Sequence, residues 1–142
     1  MTTYQSDMKT ISSSEEVVFG VLSDFNNLGK LGGDIANFHG KFKVLEYDAE
    51  SCLLELNQFG KVGFRIVEKT PPKSIRFETS YLPVEVNAEI KLDELSPDQT
   101  QMQLVLYANL PSILKMMLNK QLEQGINILA DLFEKLLNNK LT

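Results

Sequence analysis

The C-terminal stretch from Pro111 to about Asn139 constrains the fold more than any other part of the chain. At ~100° per residue, Leu114, Leu118, Leu122, Gly125, Leu129, Leu132 and Leu136 fall on one stripe of a single long helix. Ile126, Phe133 and Leu137 widen the stripe on one side, and Met117 and Ile128 on the other. The opposite face carries Asn119, Lys120, Glu123, Gln124, Asn127, Asp131, Glu134 and Asn138. A helix this long and this one-sided must lie along something broad and apolar.

The chain before it supplies strands. Phe42 to Tyr47 is one, turned by Asp48 to Ser51, and Cys52 to Phe59 is the next, with Gly60-Lys61 expected as a hairpin tip. Val62, Phe64 and Ile66 alternate with Gly63, Arg65 and Val67 until Pro71-Pro72, which cannot donate ladder hydrogen bonds. Ile75, Phe77, Thr79 and Tyr81 share one face, with Arg76, Glu78 and Ser80 on the other. After a bend at Pro83, Val84, Val86, Ala88, Ile90 and Leu92 alternate with charged or polar neighbours. Ser96 to Gln99 turns the chain into a last strand, on which Met102, Leu104, Leu106, Ala108 and Leu110 face one way. Clean alternation with connections too short for crossover helices predicts an antiparallel sheet with one wet face.

At the N-terminus, Thr3 to Ile11 reads as a first strand. Ser12 with Glu15, and Ser13 with Glu16, both have the spacing of a capping box, which predicts a short helix. Val17, Val18, Val21, Leu22 and Phe25 give it an apolar face; Leu28 to Leu31 forms a second short turn ended by Gly32-Gly33. The expected class is α+β in a single domain spanning residues 1–142. One strand, two short helices, about six further antiparallel strands and one long helix follow in that order, for six to seven strands in all.

This order resembles the helix-grip fold of the START and Bet v 1-like (SRPBCC) superfamily, which includes polyketide cyclase and dehydratase relatives. The pieces that carry the resemblance are Ser13 to Asp24, after the first strand, and Glu68 to Glu78, in the middle. Phe19 stands where such chains often have a bulky aromatic in the first short helix. The resemblance implies a curved sheet wrapped over the C-terminal helix with an apolar cavity between them.

Charge and composition narrow the partners. The chain has 14 basic and 19 acidic residues, net −5, with no long run of either sign, so a nucleic-acid partner is not expected. No apolar run approaches the ~20 residues needed to span a bilayer. The polar start from Met1 to Lys9 shows no secretory signal, and one cysteine, Cys52, allows no intrachain disulfide; a cytoplasmic location is the expectation. One histidine and one cysteine fall short of a zinc site, and no cofactor is expected.

The register assigns Phe64, Ile66, Phe77, Thr79, Tyr81, Val86, Ala88, Ile90, Leu104, Leu106 and Ala108 inward from the sheet. The helix adds Met117, Leu118, Gln121, Leu122, Gly125 and Leu129. Thr79, Tyr81 and Gln121 are polar groups on apolar faces, which need partners when buried and are the kind of group that orients a pocket ligand. Gly125, among large neighbours, implies either close approach of a strand or space left for a ligand. His39 is the only imidazole and has no nucleophile tied to it by motif, so it is assigned no catalytic role. Cys52 reads as a small buried hydrophobe, and Arg65, Arg76 and Glu78 as solvated cross-strand pairs. The function expected is binding of a hydrophobic or amphipathic small molecule, such as a lipid, an isoprenoid or an aromatic polyketide, by a monomer or weak homodimer. The alternative is a cyclase- or dehydratase-like enzyme using the same cavity.

Overall fold

Alternating strands between Phe42 and Ala108 form an antiparallel meander in the computed structural model, which describes residues 2–27, 42–56, 60–82 and 84–141. The elements are β1 (Thr2–Gln5), β2 (Lys9–Ile11), α1 (Glu15–Leu22), β3 (Phe42–Tyr47), β4 (Ser51–Leu56) and β5 (Gly60–Thr70). They continue with β6 (Ser74–Ser80), β7 (Val86–Ser96), β8 (Gln99–Ala108) and α2 (Ser112–Leu141). The sheet order is β1-β8-β7-β6-β5-β4-β3, with β2 also paired to β8, and every pair is antiparallel. A curved antiparallel sheet, a short N-terminal helix and a long C-terminal helix make this a helix-grip fold. His39 and the second short helical turn expected at Leu28 to Leu31 lie outside the described residues.

Several boundaries differ from the sequence expectation. Gly60 and Lys61 belong to β5, paired with Leu56 and Glu55, so they are strand residues rather than the hairpin tip. The helix cap is Ser14, whose hydroxyl accepts from the Val17 amide at 3.3 Å; neither Ser12 nor Ser13 caps. Glu15 is instead buried against the Lys73 ammonium at 2.8 Å. A buried carboxylate needs such a partner. The contact ties the first turn of α1 to the β5–β6 connection, so the two sequence stretches that resemble the superfamily meet in space. The Thr100 hydroxyl, fully buried, donates to the Ser13 carbonyl at 2.8 Å and anchors the same end of α1 to β8.

The single first strand expected from Thr3 to Ile11 is broken in two. Gln5 pairs with Val105 and Lys9 with Met102, so the N-terminal segment advances four residues while β8 retreats three. One extra residue is a β-bulge. Ser6 stitches it: its amide donates to the Leu104 carbonyl and its hydroxyl accepts from the Leu104 amide, both at 2.9 Å.

The polar face of α2, opposite its apolar stripe, is partly a docking face. The Tyr4 hydroxyl donates to Asn119 Oδ1 at 2.7 Å, the Asp7 amide to Asn127 Oδ1 at 3.1 Å, and the Ser12 amide to Asn138 Oδ1 at 2.8 Å. Asn138 Nδ2 returns a bond to the Thr10 carbonyl at 3.1 Å, and Lys9 Nζ lies 2.6 Å from Asp131 and 3.7 Å from Glu134. Strand and helix run in the same direction, and their reach matches. Asn119 to Asn138 rises ~28 Å along a helix and Tyr4 to Ser12 ~26 Å along a strand. Asn127 and Asn138 thereby cap backbone groups of the N-terminal segment at the outer edge of the sheet, which would otherwise be left unpaired.

Replacing Asn127 or Asn138 by alanine is expected to lower unfolding stability in urea by ~0.5–1.5 kcal/mol each. Lys120→Ala, on an exposed position, serves as the control. An Asn138→Ala protein as stable as the Lys120→Ala protein would show that the clamp contributes nothing.

Candidate ligand cavity

Burial along α2 divides it near Gly125. From Ile126 onward Ile126, Leu129, Ala130, Leu132, Leu136 and Leu137 are buried, whereas Leu114, Leu118 and Leu122 are only half-buried. Between the buried half and the sheet lies an apolar cavity of about 70 Å³. Its floor comes from Phe64, Phe77, Ala88, Ile90, Leu104 and Leu106, and Leu129 faces them from the helix. These seven were assigned inward from the register.

The sequence reading missed the rest of the wall. Val44, Cys52 and Leu54 extend the floor onto β3 and β4, and Ile126, Leu132, Phe133, Leu136 and Leu137 complete the helix side. Val21, Leu22 and Phe25 close one side from α1 and the chain just after it. The Phe25 ring leans on Phe77 with centroids 5.7 Å apart, and Phe64 meets Phe77 edge-on at 6.4 Å. Cys52 and Leu54 stand two apart on one strand, and that period-two spacing was the available signal for them.

The remaining predicted residues lie elsewhere. Ile66 and Val86 are buried core outside the cavity wall. Met117 and Gln121 point to solvent, and Leu122 is half-buried upstream of the cavity. Tyr81 is 69% exposed because β6 ends at Ser80 and Tyr81 adopts φ 67°, which breaks the alternation and turns its ring out. The Thr79 hydroxyl donates to the Val86 carbonyl at 2.7 Å and so closes the β6–β7 connection rather than facing a ligand. Thr79 and Tyr81 border a second hollow of about 540 Å³ with Tyr47, Arg65 and Glu78. That hollow is larger but open and half polar, and the Arg65–Glu78 ion pair occupies one wall. A half-polar wall suits an apolar guest poorly, so the almost wholly apolar cavity is the better candidate.

Gly125 answers to neither sequence account. A Cβ built there meets nothing within 4 Å, so no strand approaches closely, and the residue does not line the cavity.

The cavity offers little chemistry. Cys52 is 3% exposed, and burial pushes its thiol from an ordinary 9.0 up to about 12, so it stays protonated and unreactive near neutrality. Asp24 Oδ1 is taken by the Asn26 amide at 2.8 Å, and Glu89 Oε1 accepts from the Tyr107 hydroxyl at 2.8 Å. Among the described residues no buried side-chain nitrogen or oxygen lacks a partner, and no cluster of three His, Cys, Asp or Glu side chains could hold a metal. No described helix is long and apolar enough to cross a membrane.

No protein-family model matches the chain, and no curated relative does. Solved structures match over nearly its whole length. A START superfamily protein from Mycobacterium smegmatis is 16% identical with a TM-score of 0.61, covering 99% of both chains. Protein CV1439 from Chromobacterium violaceum is 22% identical with a TM-score of 0.57, covering 96% of both. The Aha1 dimer from Colwellia psychrerythraea is 12% identical with a TM-score of 0.60, covering 97% of both. At these identities the likeness establishes the fold.

Two predictions follow from the geometry of this region. Gly125→Ala should stabilise the protein by ~0.4–1 kcal/mol, because the helix gains backbone rigidity and the methyl meets no neighbour; a lower melting temperature would reveal a packing contact at that position. Separately, Cys52, Tyr4 and Tyr107 are raised mainly by burial, and Lys9 and Lys73 mainly by hydrogen bonds to Asp131 and Glu15. Each of these groups holds its proton more tightly folded than unfolded. Their contribution is therefore complete at neutral pH and is lost as pH rises from 9.0 towards about 12. Urea midpoints should fall over that window, and Cys52→Ala should shallow the fall; an unchanged slope would remove the thiol from the account.

Proposed function

We propose that this protein is a binding module for a small apolar molecule, or for the apolar end of a larger one. The ligand is held between the sheet and the C-terminal half of α2. The observation that carries the reading is a cavity walled almost wholly by carbon, in a sheet-and-helix arrangement that leaves it unfilled. A void of this kind loses dispersion contacts that a guest would restore. Apolar cavities stay dry and take up apolar guests, as a ~150 Å³ engineered cavity takes benzene.

Size sets the ligand class. About 70 Å³ accommodates a few carbon atoms, such as a short alkyl or isoprenoid end or part of an aromatic ring. Typical pockets for drug-sized ligands are ~300–1,000 Å³. A whole lipid or polyketide therefore requires α2 or the chain around Phe25 to move outward. Binding is favoured over an acid–base enzyme because the titratable groups of the wall, Asp24, Cys52 and Glu89, are engaged by neighbours or held protonated.

Xenon or benzene titration followed by methyl NMR tests the reading. The methyls of Leu54, Leu106 and Leu132 should shift saturably. Ala88→Leu, which adds about the missing volume at the centre of the floor, should abolish the response at a stability change of no more than ~1–3 kcal/mol. No methyl response in the native protein, or an undiminished one in Ala88→Leu, would refute it.

A further inference from the structure

The part of the sheet built from β3 to β6 carries a hollow on its outer face, turned away from the cavity. Cys52, Leu54, Phe64 and Phe77 line the cavity, so alternation sends Leu53, Gly63, Arg65, Glu78 and Ser80 to the other side. The register sets the outer residues in two rows across the strands. Glu46, Leu53, Gly63 and Ser80 form one, and Ser51, Arg65 and Glu78 the next. Both rows line the hollow of about 540 Å³, with Tyr47, Asp48 and Tyr81 at its rim. Gly63 makes the depression: a Cβ built there would collide with Ser80 Oγ and come within 3.6 Å of the Tyr81 ring. That ring stands on the outer face because Tyr81 adopts φ 67°, a left-handed backbone that bulky residues rarely take. At 69% exposure the ring gains too little burial to offset the strain. Strain that packing does not repay points to a function for the ring.

We propose that this hollow binds a small organic cation, with an alkylated ammonium group seated against the Tyr81 ring beside the carboxylates. Charge selects the ligand. Three carboxylates, Glu46, Asp48 and Glu78, line the hollow against one guanidinium, Arg65, which leaves a net −2. Arg65 and Glu78 pair with each other and cancel. Glu46 and Asp48 have no ion pair with any described lysine or arginine. The Glu50 and Ser51 amides donate to Asp48 Oδ1 at 2.9 and 2.8 Å, which holds that carboxyl below its ordinary range and keeps it ionised. An anion is repelled by this set, and a neutral guest gains nothing from its charge. A cation gains twice, from the carboxylates and from the negative face of an exposed tyrosine ring. A second tyrosine, Tyr47, 48% exposed at the end of β3, borders the hollow three strand spacings from β6, roughly 14 Å across the sheet. The hollow lies across the sheet from the cavity, so the proposal stands whether or not the cavity takes a guest.

Amide NMR titration of the full chain with choline tests the proposal. The comparison is the alcohol in which a tert-butyl group replaces the trimethylammonium, the same shape without the charge. Choline should shift the Gly63, Arg65, Ser80 and Tyr81 amides saturably, and the alcohol should bind at least ~5-fold more weakly. Tyr81→Leu keeps apolar bulk but loses the ring, and should weaken choline by a similar factor, whereas Tyr81→Phe should bind as the native protein does. Asp48→Asn with Glu46→Gln removes the charge, keeps an oxygen for the turn amides, and should weaken choline by ~5-fold as well. Tyr81→Gly suits the left-handed backbone and should melt at or above the native temperature while losing choline, a split that a purely structural tyrosine would not give. The proposal is overturned if choline gives no saturable shift, if the alcohol binds equally well, or if Tyr81→Leu keeps the native affinity. Choline shifts confined to the Leu54 and Leu106 methyls would place the cation in the cavity, and would overturn it too.

Discussion

The position of α2 depends on a clamp between the two ends of the chain. Apolar packing alone would let a one-sided helix slide along a sheet, because the hydrophobic effect is non-directional. The hydrogen bonds from Tyr4, Asp7 and Ser12 to Asn119, Asn127 and Asn138, with Lys9 between Asp131 and Glu134, remove that freedom. They work because the bulge at Ser6 keeps the N-terminal segment in register with β8 while it passes beneath the helix. Strand and helix then present donors and acceptors at matching intervals. Other features of the fold inherit the axial position set here.

One inherited feature is the division of labour along α2. Its C-terminal half is buried over the cavity, and its first turns keep Leu114, Leu118 and Leu122 only half-buried, with Ile113, Met116 and Met117 in solvent. Gly125 sits at the boundary with empty space around its Cβ position, so no local contact requires glycine there. Mid-helix glycine costs about 0.5–1 kcal/mol relative to alanine, and here it falls where the apolar stripe of the helix passes from half-buried to buried.

The other inherited feature is the closure of the cavity. The Glu15–Lys73 and Thr100–Ser13 contacts hold α1 against the β5–β6 connection and β8. From there Val21, Leu22 and Phe25 reach the cavity, and Phe25 completes an aromatic row with Phe77 and Phe64. On the reading proposed above, a cavity so nearly apolar, with no orphan polar group among its described wall residues, would select guests by shape and apolarity.

Much of this was legible in the sequence. Period-two alternation from Val62 to Ala108 identified the strands and the inward faces of Phe64, Phe77, Ala88, Ile90, Leu104 and Leu106, because a half-buried strand must alternate. Period 3.6 identified α2 and the angular position of its core stripe for the same reason. Periodicity is blind to position along an axis, so it could not tell that the cavity begins at Ile126, or that Met117 and Gln121 stand outside it. Nor does it see a single backbone reversal such as the positive φ of Tyr81, which ejects a residue from a face its spacing assigns inward. The docking role of α2's polar face was not legible, since asparagines that cap a sheet edge and asparagines that meet water are identical in one dimension. The sequence by itself determined which sides of each element are apolar. Where those sides meet, and what is left unfilled between them, was decided by long-range pairings that only the folded chain brings together.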